Sequence, residues 1–341
     1  MKYTFKPLQE QVIVITGASS GIGLATAKAA ARAGARLVVA ARNDDALSEL
    51  VNEIKANGGD ALHVTVDVGS REDMQRLADE AIARFGGFDT WVNNAGVSIY
   101  GRLDQVTDED HHRLFQTNFW GVVYGSLIAA KHLRERGGAL INVGSVLSDQ
   151  AAPLQGMYSA TKHAVKGFTD ALRMELEEDQ APISVTLIKP AAIDTPYPQH
   201  ARNYTNQEPS LPPPVYAPEE VAKAILFAAT HAKRDIFVGS GGRAMSWMNR
   251  IAPRAMDRVG ERILSRQQLR NEPPREPEGA LHRAGVGGHT RGDYPGYVMR
   301  RSFYTRASMH PMVTGALLGA VGVAAVTLMA RRERRPLVGL D

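Results

Sequence analysis

Over residues 1–240, short apolar runs alternate with longer stretches in which apolar side chains recur at helical spacing. This alternation is typical of a parallel sheet, because the chain needs a helical crossover to return to the start of the next parallel strand. The pattern predicts an α/β fold with a doubly wound, seven-stranded parallel sheet that binds ligands at the carboxyl ends of its strands. The predicted strands lie near Val12–Ile15, Leu37–Ala40, Ala61–Val66, Thr90–Val92, Ala139–Val143, Ser184–Ile188 and Asp235–Val238. The predicted helices are Gly21–Ala33, Asp44–Asn57, Arg71–Phe85, Asp108–Arg134, Met157–Glu178 and Pro218–Thr230.

The pattern changes near residue 242, which we take as a domain boundary. Residues 1–242 are expected to form the α/β domain, with the proline-rich stretch 197–217 as a loop or lobe. Four segments then follow, each predicted from its composition. They are a basic amphipathic helical segment at 243–270, a flexible linker at 271–310, a candidate membrane helix at 311–330 and a basic tail at 331–341.

Arginine recurs every four residues in segment 243–270, and a helix would gather these side chains along one stripe. An apolar stripe would contain Trp247, Ile251 and Val259. Basic amphipathic helices often lie on anionic membrane surfaces. A helix packed on the domain, with its arginines in solvent, fits the same pattern. We expect no nucleic-acid partner, because no binding module accompanies the charge. The arginines are Arg250, Arg254, Arg258, Arg262, Arg266 and Arg270.

Segment 311–330 contains no charged residue, and its 20 residues are enough to span a bilayer. A G-x-x-x-G pattern from Gly315 to Gly319 would let two such helices pack closely. A single span from a cytosolic domain would place the arginines of 331–335 outside, against the positive-inside tendency. A shallow or re-entrant insertion would remove that conflict. A buried helix is the alternative to any membrane contact.

Charge and cysteine content narrow the function classes. The net charge is +4, but residues 243–341 contain 17 arginines and no lysine against 8 acids, so a basic extension follows an acidic domain. The absence of cysteine excludes disulfides and thiolate metal sites or nucleophiles. The histidines have no metal-binding spacing, so we expect no metal. The N-terminus lacks a secretory signal, which predicts a cytoplasmic domain, membrane-associated through its C-terminus.

The first predicted strand runs into a glycine-rich turn, Thr16 to Gly23, and then into a helix. In such a turn Gly17 permits the tight bend, Gly21 lets the backbone approach a pyrophosphate, and Gly23 lets helix and strand pack closely. The free N–H groups and positive dipole end of the helix favour phosphate. Because a strand and a helix flank the turn, the motif predicts a dinucleotide site rather than a purely structural turn.

The end of the second predicted strand distinguishes NAD from NADP. NAD enzymes usually place an acid there to bind the ribose 2′-hydroxyl. Here Ala41 and Arg42 stand at that point, and the first acid is Asp44. The Arg42 guanidinium would pair with a 2′-phosphate through charge-assisted hydrogen bonds, which favours NADP (NADPH). A solvated arginine in a loop is the alternative.

Tyr158 and Lys162 lie four residues apart at the start of a predicted helix, so their side chains project from one face. A free tyrosine has a pKa near 10 and is a poor acid or base at neutral pH. A neighbouring ammonium and a positive nicotinamide would favour the phenolate and lower that pKa. Ser145 ends the fifth predicted strand, where its hydroxyl would reach a reacting oxygen at the sheet's carboxyl edge.

Together these motifs resemble those of the short-chain dehydrogenase/reductase family over about residues 10–240. The resemblance implies a Rossmann-type fold and an oxidoreductase that acts on carbonyl or alcohol groups with an NADP cofactor. Tyr158 would be the acid/base and Ser145 would orient the substrate carbonyl. Lys162 would hold the nicotinamide ribose and tune Tyr158, while Asn118 would support a water in a proton relay. The catalytic residues implied are Asn118, Ser145, Tyr158 and Lys162. The cofactor-binding residues implied are Gly17, Ser19, Ser20, Gly21, Ile22, Gly23, Arg42, Asp67, Val68, Asn94, Ala95, Gly96, Tyr158, Lys162, Pro190, Ile193 and Thr195.

One position departs from the family pattern. The family usually follows its sixth strand with Pro-Gly, whereas this chain has Pro190-Ala191, whose extra methyl would narrow the nicotinamide pocket. We expect a small-molecule carbonyl or alcohol substrate and a homo-oligomer. A membrane-tethered NADPH sensor or scaffold without turnover is the alternative, although it would not need the catalytic set. The side chains that indicate an apolar substrate pocket, or a packed lobe, are Leu147, Leu154, Met157 and Tyr197.

Overall fold

The computed structural model describes residues 3–310 and residue 314. At its centre is the seven-stranded parallel sheet that the apolar pattern predicted. The strands are β1 (Val12–Thr16), β2 (Arg36–Ala41), β3 (Ala61–Thr65), β4 (Thr90–Asn93), β5 (Gly138–Val143), β6 (Ile183–Pro190) and β7 (Asp235–Val238). They are ordered β7-β6-β5-β4-β1-β2-β3. The order reverses between β1 and β4, as in a Rossmann-type sheet, and opens a crevice at their carboxyl ends.

Helices cover both faces of the sheet. They are α1 (Gly21–Arg32), α2 (Asp44–Ala56), α3 (Arg71–Phe85), α4 (Asp108–Phe115), α5 (Gly121–Arg136), α6 (Gly156–Glu178), α7 (Tyr197–His200), α8 (Pro218–Ala228), α9 (Ser240–Ile251), α10 (Pro253–Val259), α11 (Ser265–Gln267) and α12 (Phe303–Met309). Two π-helical turns, Gln116–Trp120 and Gly260–Leu264, join α4 to α5 and α10 to α11. The helix predicted at 108–134 therefore contains a π-helical turn around Asn118.

The core explains why the strands are continuous apolar runs. Alternate residues of a strand enter opposite faces, and both faces here are covered. Ile13 and Ile15 of β1 belong to a cluster that includes side chains of α1, α2 and α8. Val12 and Val14 belong to a second cluster, with side chains of α3, α5 and α6. Each such buried side chain contributes about 1.5–3 kcal/mol, so neither face tolerates a polar residue without a partner.

A buried polar network fixes the helices that carry the candidate site. Asn93 Nδ2, at the end of β4, donates to Asn142 Oδ1 at 2.8 Å and to Ser126 Oγ at 3.0 Å. Asn142 Nδ2, on β5, donates to Thr169 Oγ1 at 3.0 Å. Because Ser126 lies on α5 and Thr169 on α6, these bonds tie both helices to the centre of the sheet.

The amphipathic segment is helical from Ser240 to Gln267, with a break at Ala252. The residues on its packed face are small or polar. A Cβ on Gly242 would lie 2.1 Å from Val146 Cγ1, and Ser246 Oγ donates to Asp149 at 2.7 Å. The apolar stripe points outward instead, and Trp247 and Ile251 are 57% and 60% exposed. The helix therefore packs on the domain while its apolar stripe, like its arginines from 250 to 266, faces solvent.

Segment 271–310 packs against the domain and does not form the flexible linker that its proline, glycine and charge content predicts. Val298–Met299 adds a parallel strand to Val215–Tyr216, which also pairs with Ala192–Ile193. Leu281 is fully buried, and Met309 of α12 joins a core cluster. Composition misleads here because backbone hydrogen bonds and a few buried side chains, rather than a long apolar pattern, hold the segment.

The candidate membrane helix at 311–330 and the basic tail at 331–341 lie outside the described residues, apart from Thr314. Within the described part of the chain, no helix combines the length and the apolar character needed to cross a bilayer.

Candidate functional site

In the turn after β1, backbone segments lie so close together that only glycine fits at two positions. Gly17 has φ +67°, and a Cβ on it would lie 2.8 Å from Ala95 Cα. A Cβ on Gly23 would lie 2.1 Å from the Gly17 carbonyl oxygen, which no real structure allows. Asn94 Nδ2 donates to the Thr16 carbonyl oxygen at 2.9 Å and so holds the turn against the end of β4. Glycine at these positions lets α1 begin directly over the crevice.

Apart from Gly23, which lines neither, the predicted cofactor residues line two adjoining cavities. The first, the nucleotide cavity, lies beside the turn, and the second, the substrate cavity, lies beside Tyr158. Ile22, Asn94, Gly96 and Thr195 line both, so the two cavities meet along these residues. The predicted residues that line the nucleotide cavity are Gly17, Ser19, Ser20, Gly21, Ile22, Arg42, Asp67, Val68, Asn94, Ala95, Gly96 and Thr195. Those that line the substrate cavity also include Ser145, Tyr158, Lys162, Pro190 and Ile193.

Arg42 and Asp67 line the end of the nucleotide cavity beside β2 and β3, where the family resemblance implies the adenosine of a dinucleotide, and Arg113 pairs with Asp67 there. Arg42 follows β2, and burial lowers the pKa of its guanidinium, an effect that nearby Arg113 reinforces. Burial would raise the pKa of the Asp67 carboxyl, but the Arg113 guanidinium, which bonds it at 2.5 Å, holds that pKa below its usual value. The pair neutralises Asp67 and leaves one positive charge in excess, which favours an anionic ligand.

Lys162 is buried under the substrate cavity. Its Nζ donates to the Val143 carbonyl oxygen at 3.0 Å and lies 5.6 Å from the Tyr158 ring centre. Burial lowers the pKa of Lys162 from 10.5 to about 8. A lysine with this pKa is still mostly protonated at neutral pH, so it places a positive charge beside Tyr158.

Burial raises the pKa of the Tyr158 hydroxyl to about 12, although hydrogen bonds with Tyr197 and Ser145 oppose the rise. The hydroxyl is therefore a proton donor in the protein without cofactor. Ser145 Oγ accepts from the Leu147 N–H at 3.1 Å, so its own hydrogen serves the bond to Tyr158 and can turn to a ligand oxygen in the cavity. Serine and tyrosine thus offer two donors to one substrate oxygen.

Asn118 is held by the backbone of Val97. Its Oδ1 accepts from the Val97 N–H at 2.8 Å and its Nδ2 donates to the Val97 carbonyl oxygen at 2.9 Å. A Cβ on Gly96 would lie 3.4 Å from Asn118 Oδ1 and 3.9 Å from Lys162 Nζ. Asn118 and Lys162 therefore flank Gly96, with space between them that a side chain there would fill.

The substrate cavity is partly apolar, as the sequence indicated, but with different residues. Leu147 and Tyr197 line it, while Leu154 lies on an outer groove and Met157 packs beside Val97 and Ile99. Further apolar side chains that line it are Val146, Leu211, Met245 and Leu264, of which Met245 and Leu264 lie beyond the predicted domain boundary.

A pair of buried amides in the substrate cavity was also missed by the sequence analysis. Gln155 Nε2 donates to Gln268 Oε1 at 2.9 Å, and Gln155 Oε1 accepts from the Tyr197 hydroxyl at 3.1 Å. Gln268 follows α11, beyond the predicted domain boundary. No motif marks a single glutamine, and only the return of the chain over the cleft brings Gln268 to the site.

The chain is similar in sequence to known oxidoreductases. A family model of short chain dehydrogenase matches residues 11–206. An uncharacterized oxidoreductase of Bacillus subtilis, YxnA, is 51% identical over 325 residues, 94% of this chain and 91% of that protein. The 11-beta-hydroxysteroid dehydrogenase A of Sesamum indicum is 33% identical, over 73% of this chain and 74% of that protein. The likeness to the Bacillus protein is long enough to include much of the extension after residue 242.

Solved structures match the α/β part of the chain. A short-chain dehydrogenase/reductase from Burkholderia phymatum in complex with NAD superimposes with a TM-score of 0.67 at 26% identity, covering 73% of this chain and 96% of that chain. An alcohol dehydrogenase from Thermococcus sibiricus complexed with 5-hydroxy-NADP gives a TM-score of 0.59 at 27% identity, covering 67% of this chain and 95% of that chain. These neighbours bind either nicotinamide dinucleotide, so they support a nicotinamide cofactor without choosing between the two.

The buried charge of Lys162 predicts a pH-dependent difference in stability. Replacing Lys162 with methionine removes the cost of burying its charge, but it also removes the hydrogen bond to the Val143 carbonyl. The net effect should be to raise the free energy of unfolding at pH 7 by about 1–2 kcal/mol. The folded pKa of Lys162 lies below the unfolded value of 10.5, so the gain is full below about pH 8 and declines as the pH rises toward 10.5. Urea unfolding of both proteins at pH 7 and pH 10 measures it.

The exposed Lys131→Met is the matched control and should change stability little at either pH. A Lys162→Met variant that is less stable than the native protein at pH 7, or whose advantage does not depend on pH, would show that Lys162 carries no desolvation cost.

Proposed function

Because the chain belongs to the short-chain dehydrogenase/reductase family, we propose that it is an NADPH-dependent oxidoreductase that interconverts a carbonyl and an alcohol, with Tyr158 as the acid/base. The observation that carries this proposal is that Tyr158, Ser145 and Lys162 line one cavity where it meets the nucleotide cavity. The named relatives are oxidoreductases, and nothing in them favours the sensor or scaffold alternative.

The cleft fits a nicotinamide dinucleotide. Its floor is backbone without Cβ atoms at Gly17 and Gly21, and α1 begins there with its positive dipole end. The buried Thr117 Oγ1, which has no partner among the described residues, also lines the nucleotide cavity and is available to a ligand. The cofactor, when bound, supplies or accepts the hydride.

The protein's part in the reaction is to hold the substrate oxygen and move a proton. During reduction the Tyr158 hydroxyl donates its proton to that oxygen, while Ser145 Oγ–H donates a second hydrogen bond to it. The charge on Lys162 stabilises the resulting phenolate. We assign Asn118 to the support of a water beside Gly96, from which the proton on Tyr158 is replaced by way of Lys162.

Arg42 supports the assignment of NADPH over NADH. It lines the nucleotide cavity, with Ala41 in place of the acid that would bind a free ribose 2′-hydroxyl. The excess positive charge at Arg42 and Arg113 favours a doubly charged phosphate over a hydroxyl. The substrate assignment is a partly apolar carbonyl compound, because Leu147, Leu211 and Met245 line the cavity beyond Tyr158.

The exposed apolar stripe supports a second proposal, contact between the cytoplasmic enzyme and an anionic membrane surface. Trp247, Ile251 and Ile263 are exposed on a helical segment whose arginines at 250, 254, 258, 262 and 266 are exposed too. That combination is typical of helices that lie in a lipid interface.

We also assign a homo-oligomer to this protein, as the family resemblance implies. Sedimentation equilibrium tests that assignment.

Replacement of Tyr158 by phenylalanine tests the chemistry. The variant keeps the ring and loses the transferable proton, so turnover should fall about 10²-fold or more while NADPH still binds. NADPH absorbance with a panel of aldehydes, ketones and quinones measures turnover. Tyr124→Phe, on α5 and outside both cavities, is the control and should turn over at the native rate. Native turnover by the Tyr158→Phe variant would remove Tyr158 as the acid.

Replacement of Arg42 by alanine tests the choice of cofactor. NADPH binding should weaken by about 1–3 kcal/mol, the range for charge-assisted hydrogen bonds, and NADH binding by much less. Titration of protein fluorescence measures both affinities. Arg36→Ala, at the opposite end of β2, is the control and should alter neither. Equal affinities of the native protein for NADPH and NADH would contradict the assignment.

Replacement of Trp247 and Ile251 by serine tests the membrane contact. The native full-length chain should cosediment with vesicles that contain phosphatidylserine. The double variant should bind them about tenfold more weakly, because it lacks two apolar side chains that would enter the lipid. Met174→Ser, exposed on α6, is the control. Equal binding by the native chain and the double variant would exclude the stripe as the contact.

A further inference from the structure

A segment of the extension lies directly on the glycine-rich turn. We call residues 279–293 the strap. The Gly288 N–H donates to the Ser19 carbonyl oxygen at 2.9 Å, and the Gly21 N–H donates to the His289 carbonyl oxygen at 2.9 Å. A Cβ on Gly287 would lie 2.2 Å from Ala46 Cβ, so only glycine fits between the strap and α2. The strap therefore runs along the turn in a backbone-to-backbone contact.

The strap also holds the arginine that the sequence assigns to the 2′-phosphate. The two terminal nitrogens of Arg42 donate to the carbonyl oxygens of Leu281, at 3.1 Å, and Ala280, at 2.5 Å. Arg113 Nε donates to the same Leu281 oxygen at 3.2 Å. Both arginines at the adenosine end of the cavity are thus oriented by strap carbonyls.

Buried and charged contacts anchor the strap at both ends. The Leu281 side chain is fully buried and clusters with Val97 and Leu114. His282 Nε2 lies 2.7 Å from Asp110, at the start of α4. At the other end, Asp293 pairs with Arg270 at 2.7 Å. With these anchors in place the strap does not behave as a free loop over the cleft.

Part of the strap lines the nucleotide cavity itself. Ala280, Ala284 and Gly285 line it together with Arg42 and Asp67. We propose that the strap is a component of the cofactor site, which encloses the adenosine end of the dinucleotide and positions Arg42 for its 2′-phosphate. This rests on the proposed function and extends the cofactor site beyond the α/β domain.

The hydrogen-bonding capacity of arginine makes the two tasks compatible. A guanidinium has five N–H donors, of which the strap carbonyls take two and leave three for a phosphate. A side chain fixed in advance loses less conformational entropy when a ligand binds, so the strap raises the affinity of Arg42 for a phosphate. Small residues at the cavity wall, two alanines and a glycine, leave room for a nucleoside.

The test loosens the strap without touching the turn or Arg42. The double variant Leu281→Ala, His282→Ala removes one buried anchor and the hydrogen-bonding anchor to Asp110. NADPH should bind it about tenfold or more weakly than the native chain and dissociate faster, and NADH should lose less because it makes no 2′-phosphate contact. Stopped-flow fluorescence measures the dissociation rates. Leu133→Ala, buried in α5 away from the cleft, controls for general destabilisation and should leave both affinities unchanged.

Amide hydrogen exchange of the native chain supplies the second measurement. NADPH should slow exchange at residues 279–289, because it becomes enclosed beneath them. Faster exchange of the strap with NADPH, or tighter binding by the double variant, would mean that the strap blocks the site and would overturn the proposal. Unchanged affinities in the double variant would also overturn it. A native chain that binds neither NADPH nor NADH would refute the proposed function instead, whatever the strap does.

Discussion

The cleft depends on the contact between α1 and the turn that precedes it. With a hydrogen in place of Cβ at Gly23, the first turn of α1 touches the Gly17 carbonyl, and the same contact places the start of the helix over the crevice. A methyl group at Gly23 would push α1 off the sheet and move the phosphate position with it. The strap depends on this geometry too, because it bonds the backbone of Ser19 and Gly21.

Catalysis and stability place opposite demands on the centre of the sheet. Lys162 is held as a buried cation by one backbone carbonyl, which costs folding free energy, while the Asn93 and Asn142 network keeps α6 in place. That network lies at the ends of β4 and β5 and reaches α6, the helix that also contains Tyr158. The protein therefore holds the buried charge of Lys162 beside a polar core whose members bond one another.

Sequence patterns predicted the sheet, its order of helices and the residues around Gly17, Ser145 and Tyr158, because apolar periodicity and short motifs report local structure and nearby chemistry. They could not predict the strap or Gln268. The strap makes its contacts mainly through main-chain carbonyls, which any residue provides, and its one buried anchor, Leu281, has no periodic neighbours. Glycine and proline there predict flexibility, whereas at Gly287 glycine is required for close packing. The exposed face of α9 was also unpredictable, since Gly242 and Ser246 carry the packing.

The distance along the chain between Arg42 and Leu281 has a consequence for biosynthesis. The two residues are 239 positions apart, so at ribosomal rates roughly 10–50 seconds pass between their appearances. In that interval β1 and β2 can pair and the glycine-rich turn can form, but the adenosine end of the cleft stands open on one side. The nascent enzyme therefore acquires its complete nucleotide cavity only when residues 279–293 have followed the α/β domain out of the ribosome.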